Sequence, residues 1–155
     1  MIKKDTNIPY SQKRHSQTVV SRLVYIILVI LPLCAFLNTL FNGFVYDDIS
    51  VLEENYFIRN LGNIPKVFSK DYFRLANELS YRPVVTLSYF IDYAIWRYNP
   101  FGYHLSNVIF HTANCVLLYL LLVQLTKVRL AALFSAVIFS IHPCTTEAVN
   151  CLSYR

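Results

Sequence analysis

Two adjacent carboxylates, Asp47 and Asp48, follow the first long apolar run of the chain, within the motif 44–48. Neighbouring carboxylates can coordinate a divalent cation, and one member of such a pair can act as a general base. The other interpretation is a solvated turn that caps a helix, because Asp is a favoured N-cap residue. Asp47 and Asp48 are therefore candidate catalytic residues, and Asp48 is also a candidate metal ligand.

A third acid, Glu147, ends the motif 142–147, which also contains a histidine, a proline and threonines. The apolar segment before this motif is predicted to be a membrane helix, which places the motif at or beneath the outer edge of a membrane. A carboxylate there is costly unless it faces a wet cavity or a partner. Glu147 is a candidate catalytic carboxylate, and the alternative is that it only stabilises the start of a helix.

Three cationic or ionisable side chains are candidate ligands for a phosphate group: Arg82, Arg155 and His104. The planar guanidinium of arginine binds two phosphate oxygens at once. Arg82 opens a predicted helix at the level of lipid phosphates, where ordinary headgroup contact is the competing interpretation. His104 lies nearest the outer surface in its own predicted helix, so it is the histidine best placed to contact a ligand.

A polar stripe runs along one predicted helix, with spacings of three, four and three between His104, Asn107, His111 and Asn114. Such spacings place all these side chains on a single helix face. Polar groups within a membrane helix face the bundle or a cavity, and they commonly form hydrogen bonds between helices. We predict that Asn107, His111 and Asn114 are structural.

The 4 cysteines lack the short spacings of a zinc site. Cys34 and Cys115 lie inside apolar runs and are expected to pack there. Cys144 and Cys151 could form a disulfide if their segment is extracytoplasmic, or they could pack separately within a helix bundle.

Composition indicates an integral membrane protein. The chain has 155 residues, of which 55% are hydrophobic and only 15% charged, against about 25% charged residues in soluble domains. Its mean hydropathy is +0.41. The net charge of +5 does not indicate a nucleic-acid partner, because Lys and Arg are not gathered on one polar face. Their position beside apolar runs instead favours a role in membrane orientation.

The first elements follow from charge and apolar length. Residues 1–22 form a basic tail without visible periodicity, predicted to be disordered and cytoplasmic by the positive-inside rule. Residues 23–41 are long enough for a first transmembrane helix and lack a cleavage site, so this helix is retained. Residues 42–102 then form an extracytoplasmic loop that carries the acidic pair.

Two helices are predicted inside this loop. Pro65 is well placed to open a short helix over residues 66–73. Residues 83–97 form a second, aromatic helix, which is short for a membrane span and typical of the interfacial layer. The alternative is a true span, which would invert the orientation of everything after it.

Two further membrane helices are predicted after the loop. Residues 103–126 form the second span, and residues 127–129 form a basic cytoplasmic turn. Residues 130–142 form a third helix that rises only about 18 Å, so it is either short or kinked within a core of about 30 Å. Residues 143–155 begin a second external segment.

The ordered motifs at residues 41–48, 81–83, 99–107 and 142–149 resemble one group of membrane glycosyltransferases. This group comprises the GT-C-fold protein O-mannosyltransferases with transmembrane helices and C-terminal tetratricopeptide repeats, and the similarity covers roughly residues 23–155. The resemblance implies an all-α integral membrane fold. This chain would be the N-terminal fragment of a multi-span GT-C-like helix bundle, with interfacial helices in its long first external loop.

The resemblance also implies chemistry and location. A sugar such as mannose would pass from a polyprenyl-phosphate donor to a hydroxyl acceptor, for example protein Ser or Thr, by an inverting displacement. The family's acidic pair matches Asp47 and Asp48, and its second external acid matches Glu147. Arginine or a divalent cation would offset the phosphate charge, and metal dependence stays open. The location implied is a bacterial plasma membrane or the endoplasmic reticulum membrane, multi-pass, with the active site on the extracytoplasmic side.

Three functions remain open at this point. The first is the glycosyltransferase, of which this fragment alone would be inactive. The second is a non-catalytic membrane scaffold or subunit, whose acids and histidines only cap and pack. The third is a transporter fragment, for which polar groups near the bilayer midplane, such as His111 and Asn114, would be the signal.

Overall fold

The computed structural model describes residues 10–45, 47–70, 72–76 and 81–155, with side chains described from residue 22 onward except at 53 and 73. Regular structure throughout these ranges is helical, and they contain no strand. The all-α prediction is therefore confirmed. Tyr46 of the acidic motif and residues 1–9 of the predicted basic tail lie outside the described residues.

Helix α1 spans Tyr10–Ala35 and continues into a 3-10 helix, Leu37–Phe41. It begins well before the predicted start at residue 23, so residues 10–22 are helical rather than lacking regular structure. Extending an existing helix adds one hydrogen bond per residue, so it does not require an apolar periodicity of its own. The switch to 3-10 geometry after Phe36 turns the chain towards the loop.

Residues 42–102, the predicted external loop, contain short helices around a core of their own. After a π-helical turn, Ile49–Glu53, come two 3-10 helices, Tyr56–Arg59 and Leu61–Phe68, and helix α2, Tyr72–Ala76. Pro65 lies inside Leu61–Phe68, so the prediction that it opens a helix over 66–73 is wrong. This helix instead begins at Leu61, after the N-cap residue Asn60, whose side chain accepts a hydrogen bond from the Gly62 amide at 2.9 Å.

Helix α3 spans Pro83–Trp96 and packs on this loop core. Phe90 meets Phe57 edge to face, with ring centroids 5.6 Å apart. The Tyr72 hydroxyl and Thr86 Oγ1 are 2.6 Å apart and hydrogen-bonded. The aromatic residues of α3 therefore face protein on one side, which the sequence pattern alone did not distinguish from burial in headgroups.

Helices α4, Pro100–Thr126, and α5, Arg129–Ile141, form an antiparallel pair that packs against α1. Their shared core contains Val24, Leu28, Tyr119, Ala132 and Ala136. Small residues on α5 allow close approach of the helices. The boundaries of α4 and α5 match the predicted segments 103–126 and 130–142 closely.

The structure has one described helix, α4, that is long and apolar enough to cross a membrane. A second such unit exists if α5 and the segment Pro143–Asn150, bent by 54° relative to each other, form one broken span. The described apolar part of α1, Arg22–Ala35, is shorter. The bend confirms the predicted interruption at Pro143, which arises because proline cannot continue the hydrogen-bond ladder.

Candidate functional site

A cavity of about 810 Å³ lies between the extended segment 42–45 and residues 143–155, the predicted second external segment. Asp47 and Glu147 both line this cavity. Both side chains are exposed. Two of the predicted catalytic carboxylates, distant in sequence, therefore share one solvent-accessible space. Residues for which the sequence predicted no catalytic role also line it: Asn42, Gly43, Thr146, Asn150, Cys151 and Tyr154.

Asp48 has the opposite environment to Asp47. Its side chain is fully buried, and Oδ1 accepts a hydrogen bond from the Ser153 amide at 2.9 Å. The thiol of Cys151 lies 3.6 Å from the same oxygen, and the Val45 amide is 3.4 Å from Oδ2. Asp48 thus connects the first external loop to the second external segment, whereas Asp47 faces the cavity.

Glu147 owes its position to the turn that follows α5. Pro143 and the 3-10 turn Pro143–Thr145 lead into helix α6, Thr146–Asn150. His142 organises this turn: its Nδ1 accepts from the Cys144 amide at 3.2 Å, and its carbonyl accepts from Thr145 Oγ1 at 2.7 Å. The bend therefore directs Glu147 towards the cavity. His142 stabilises the turn through its hydrogen bonds with Cys144 and Thr145.

The second external segment is held in place by side chains from earlier helices. The Tyr89 hydroxyl donates to the Leu152 carbonyl at 2.9 Å. Asn107 Nδ2 donates to the Val149 carbonyl at 3.1 Å. Further hydrogen bonds join Arg82 to the Ser153 carbonyl and Thr39 to Asn150. Arg82, a predicted phosphate ligand, thus contacts protein backbone.

No protein-family model matches the chain, and no solved structure matches it. Several curated relatives do. A protein O-mannosyl-transferase of Caenorhabditis elegans is 30% identical over 152 residues, 93% of this chain. The protein O-mannosyl-transferase TMTC3 of Mus musculus is 30% identical over 118 residues, 73% of this chain. The Tmtc1 protein of Drosophila melanogaster, also named a protein O-mannosyl-transferase, is 32% identical over 119 residues, 74% of this chain.

The chain is similar to the protein O-mannosyl-transferases. This confirms the resemblance to protein O-mannosyltransferases that the ordered motifs indicated. The chain spans only 22% of the worm relative's length, 13% of the mouse relative's and 14% of the fly relative's.

The remaining predicted site residues of this O-mannosyl-transferase-like chain do not line the cavity. Arg155 points into the protein and forms an ion pair with Asp92 at 2.6 Å. His104 is fully buried beside the backbone of Asn42 and Gly43, without a well-formed hydrogen bond at either ring nitrogen. Their predicted role in phosphate binding therefore needs either movement or groups from outside this chain.

The polar stripe divides into two parts. His111 Nε2 lies 3.1 Å from the Ser140 carbonyl of α5, and Asn107 bonds the second external segment. Both side chains therefore contact a second element of the fold. Asn114 is exposed and lines a smaller cavity of about 190 Å³, together with His111 and Arg155.

The cysteines are all unpaired. The alternative of a disulfide between Cys144 and Cys151 is not realised, because Cys144 is exposed while the Cys151 thiol contacts Asp48 and Ser153. Cys115 is buried, as expected. Cys34 is exposed on α1 rather than packed, because the apolar run that contains it has an outward face.

Within the ranges that the structure describes, no group of three or more His, Cys, Asp or Glu side chains is arranged to hold a metal ion. Asp48, the predicted metal ligand, is instead engaged with Ser153. The residue that the motif analysis missed most clearly is Asp92. A carboxylate inside an apolar helix is itself a signal, because it requires a partner.

Proposed function

We propose that this chain is the N-terminal part of a membrane glycosyltransferase that moves a sugar from a polyprenyl-phosphate donor to a hydroxyl acceptor. The observation that carries the proposal is the shared cavity of Asp47 and Glu147, in a chain similar to proteins named protein O-mannosyl-transferases. Mannose as the sugar and protein Ser or Thr as the acceptor follow from those names.

The reaction is an inverting displacement. The acceptor oxygen attacks the anomeric carbon, a carboxylate takes the hydroxyl proton, and the polyprenyl phosphate leaves with the electrons of the broken C–O bond. Asp47 is better placed than Asp48 to take this proton, because Asp47 lines the cavity while Asp48 is buried against Ser153. General-base catalysis contributes about 10²–10⁴-fold.

A lipid-linked donor requires a site at the membrane surface, and several observations support that location. The cavity lies beyond the C-terminal end of α5, where the chain bends by 54° into the segment Pro143–Asn150. Only 28% of the most apolar part of α4 is buried within the structure. The remaining apolar surface of this helix needs lipid or further helices to cover it. The basic N-terminus indicates that this end is cytoplasmic and the cavity external.

The test uses the full-length protein that contains this chain, in membranes, with radiolabelled polyprenyl-phosphate sugars and a Ser- or Thr-containing acceptor. We expect Asp47→Asn and Glu147→Gln each to lower transfer by about 10²-fold or more. Glu54→Gln is the matched control, because Glu54 is exposed but does not line the cavity. Its activity should equal that of the wild type.

Asp48→Asn separates a structural role from a catalytic one. Asparagine keeps an oxygen that can accept from the Ser153 amide, so we expect substantial transfer to survive. Full activity of both the Asp47 and the Glu147 variants would show that the site assignment is wrong. Absence of transfer by a well-expressed wild type with every polyprenyl-phosphate sugar would favour a non-catalytic scaffold.

A further inference from the structure

A buried ion pair lies outside the cavity, and neither of its two residues lines the cavity. Asp92 on α3 and Arg155 are 2.6 Å apart, and their side chains are 5% and 6% exposed. Each member also has neutral partners. Ser106 on α4 donates to Asp92 Oδ1 at 2.6 Å, and Arg155 donates to Ser88 Oγ at 2.8 Å.

Arg155 uses almost all of its donors in this network. Its Nε donates to Asn107 Oδ1 at 2.6 Å, and its Nη2 donates to the Tyr103 carbonyl at 3.0 Å. The guanidinium is therefore joined to both α3 and α4 in a fixed planar geometry. Because Asp92 supplies the opposing charge at the same place, the geometry favours anchoring over capture of a second anion.

The ion pair of Arg155 and Asp92 is connected to Glu147 by a short segment of regular structure. Helix α6 and the 3-10 turn Leu152–Tyr154 connect Glu147 to Arg155. Hydrogen bonds from Cys151 N to the Glu147 carbonyl at 2.9 Å and from Ser153 N to Asp48 at 2.9 Å stiffen the connection. A displacement at Arg155 would therefore be transmitted to the cavity wall.

We propose that Asp92 is a positioning residue that, through Arg155, holds residues 146–155 so that Glu147 faces Asp47 across the cavity. This inference rests on the proposed function. A buried ion pair is by itself weak evidence for stability, because well-packed apolar residues often replace one without loss. This pair instead fixes the position of the second external segment relative to the helices α3 and α4.

Hydrogen–deuterium exchange tests the anchoring without reference to activity. In the full-length protein, we expect Asp92→Asn to raise the exchange rate of amides in residues 146–155 by about tenfold, since local opening becomes easier when the anchor is lost. Tyr72→Phe is the matched control: it removes a buried hydrogen bond to Thr86 in the loop core without touching the ion pair. Unchanged exchange in the Asp92 variant would overturn the proposal.

Kinetics test the positioning. Asp92→Asn should lower kcat by about tenfold or more while the donor KM stays close to that of the wild type, and Asp92→Glu should restore part of kcat. The double variant Asp92→Asn with Arg155→Gln leaves no unpaired buried charge, so it should fold and still show the low kcat. A raised donor KM with normal kcat in this double variant would instead make Arg155 a phosphate ligand and overturn the positioning role.

The two proposals fail in distinguishable ways. Faster exchange with an unchanged kcat would show that the segment is anchored but that its position does not matter for transfer, which overturns the positioning role. An inactive wild type would overturn the proposed function, and with it the catalytic consequence. The exchange comparison would still decide whether Asp92 holds the second external segment.

Discussion

The environments of Asp47 and Asp48 differ because both residues have helical backbone, in which consecutive side chains point about 100° apart. Asp47 stays exposed at the cavity, and its carbonyl accepts from Ser50 Oγ at 2.9 Å. Asp48 turns inward, where the backbone amide of Ser153 satisfies its carboxylate. A buried carboxylate with amide donors is stabilised by charge-assisted hydrogen bonds. One residue of the pair can therefore serve the cavity while the other joins two external segments.

Cys151 offers a test of this arrangement through its reactivity. Burial raises the pKa of the Cys151 thiol, a hydrogen bond from Ser153 opposes the shift, and the charge of Asp48 adds to it. Only the thiolate reacts with maleimide. A raised pKa means less thiolate at any given pH, so the reaction rate of a variant with Cys151 as its sole cysteine should rise at higher pH than that of free cysteine.

The control for this measurement is Asp48→Asn in the same single-cysteine background. Removing the negative charge should move the rate profile towards lower pH. A profile at or below that of free cysteine, or one that Asp48→Asn leaves in place, would contradict the described contact between Asp48 and Cys151. The measurement is the maleimide rate constant between about pH 6 and 10, around the ordinary thiol pKa.

At the scale of elements, the corner between α3 and α4 sets the geometry of the network that holds the second external segment. Arg97 at this corner has a left-handed φ of 55°, a costly conformation for a residue with a Cβ. The Tyr103 hydroxyl donates to its carbonyl at 2.9 Å. Gly102 lies directly against Trp96, so α4 can begin immediately beside the end of α3.

Gly102→Ala should destabilise this corner. An added Cβ would lie 2.0 Å from Trp96 Cγ, so the indole or the helix must move, at a cost of about 1–3 kcal/mol. We expect a lower midpoint of thermal unfolding in detergent. Gly43→Ala is the control, because no heavy atom lies within 4 Å of the Cβ position there. Equal midpoints for both variants would show that Trp96 does not pack on Gly102.

The whole molecule has two unlike surfaces. The predicted external loop buries part of its aromatic residues, among them Phe57, Tyr72 and Phe90, in a separate core. The helices α1, α4 and α5 instead share a narrow core and expose large apolar side chains, among them Leu117, Leu125, Phe134 and Ile138, each about 60–70% exposed. An apolar surface of this kind needs lipid or further protein to cover it, which supports the proposed membrane location.

The proposed orientation can be tested with an impermeant maleimide on intact cells. A variant with Cys144 as its sole cysteine should be labelled without permeabilisation, because Cys144 is exposed in the second external segment. Val128→Cys in a cysteine-free background is the matched probe for the opposite side, since Val128 is exposed between α4 and α5. It should be labelled only after permeabilisation. The reverse pattern would show that the orientation is inverted.

Several features could be predicted from the sequence because they depend on local patterns. Apolar length placed α4 and α5. Pro143 placed the interruption after them, since proline has no N–H for the helical hydrogen bond and disfavours helical geometry in the residue before it. Ordered motifs sufficed for the resemblance to the protein O-mannosyl-transferases. The candidate carboxylates Asp47 and Glu147 also came from their types and positions alone.

The tertiary structure decided the roles of the polar residues. The sequence predicted the same catalytic role for Asp48 as for Asp47, and it predicted that Arg155 binds phosphate. In the folded chain, Asp48 accepts a hydrogen bond from the Ser153 amide, and Arg155 pairs with Asp92. Such assignments depend on which groups meet across long sequence separations. The physical reason is that a buried polar group must find a partner, and only the packing of α3, α4 and the second external segment determines which partner is within reach.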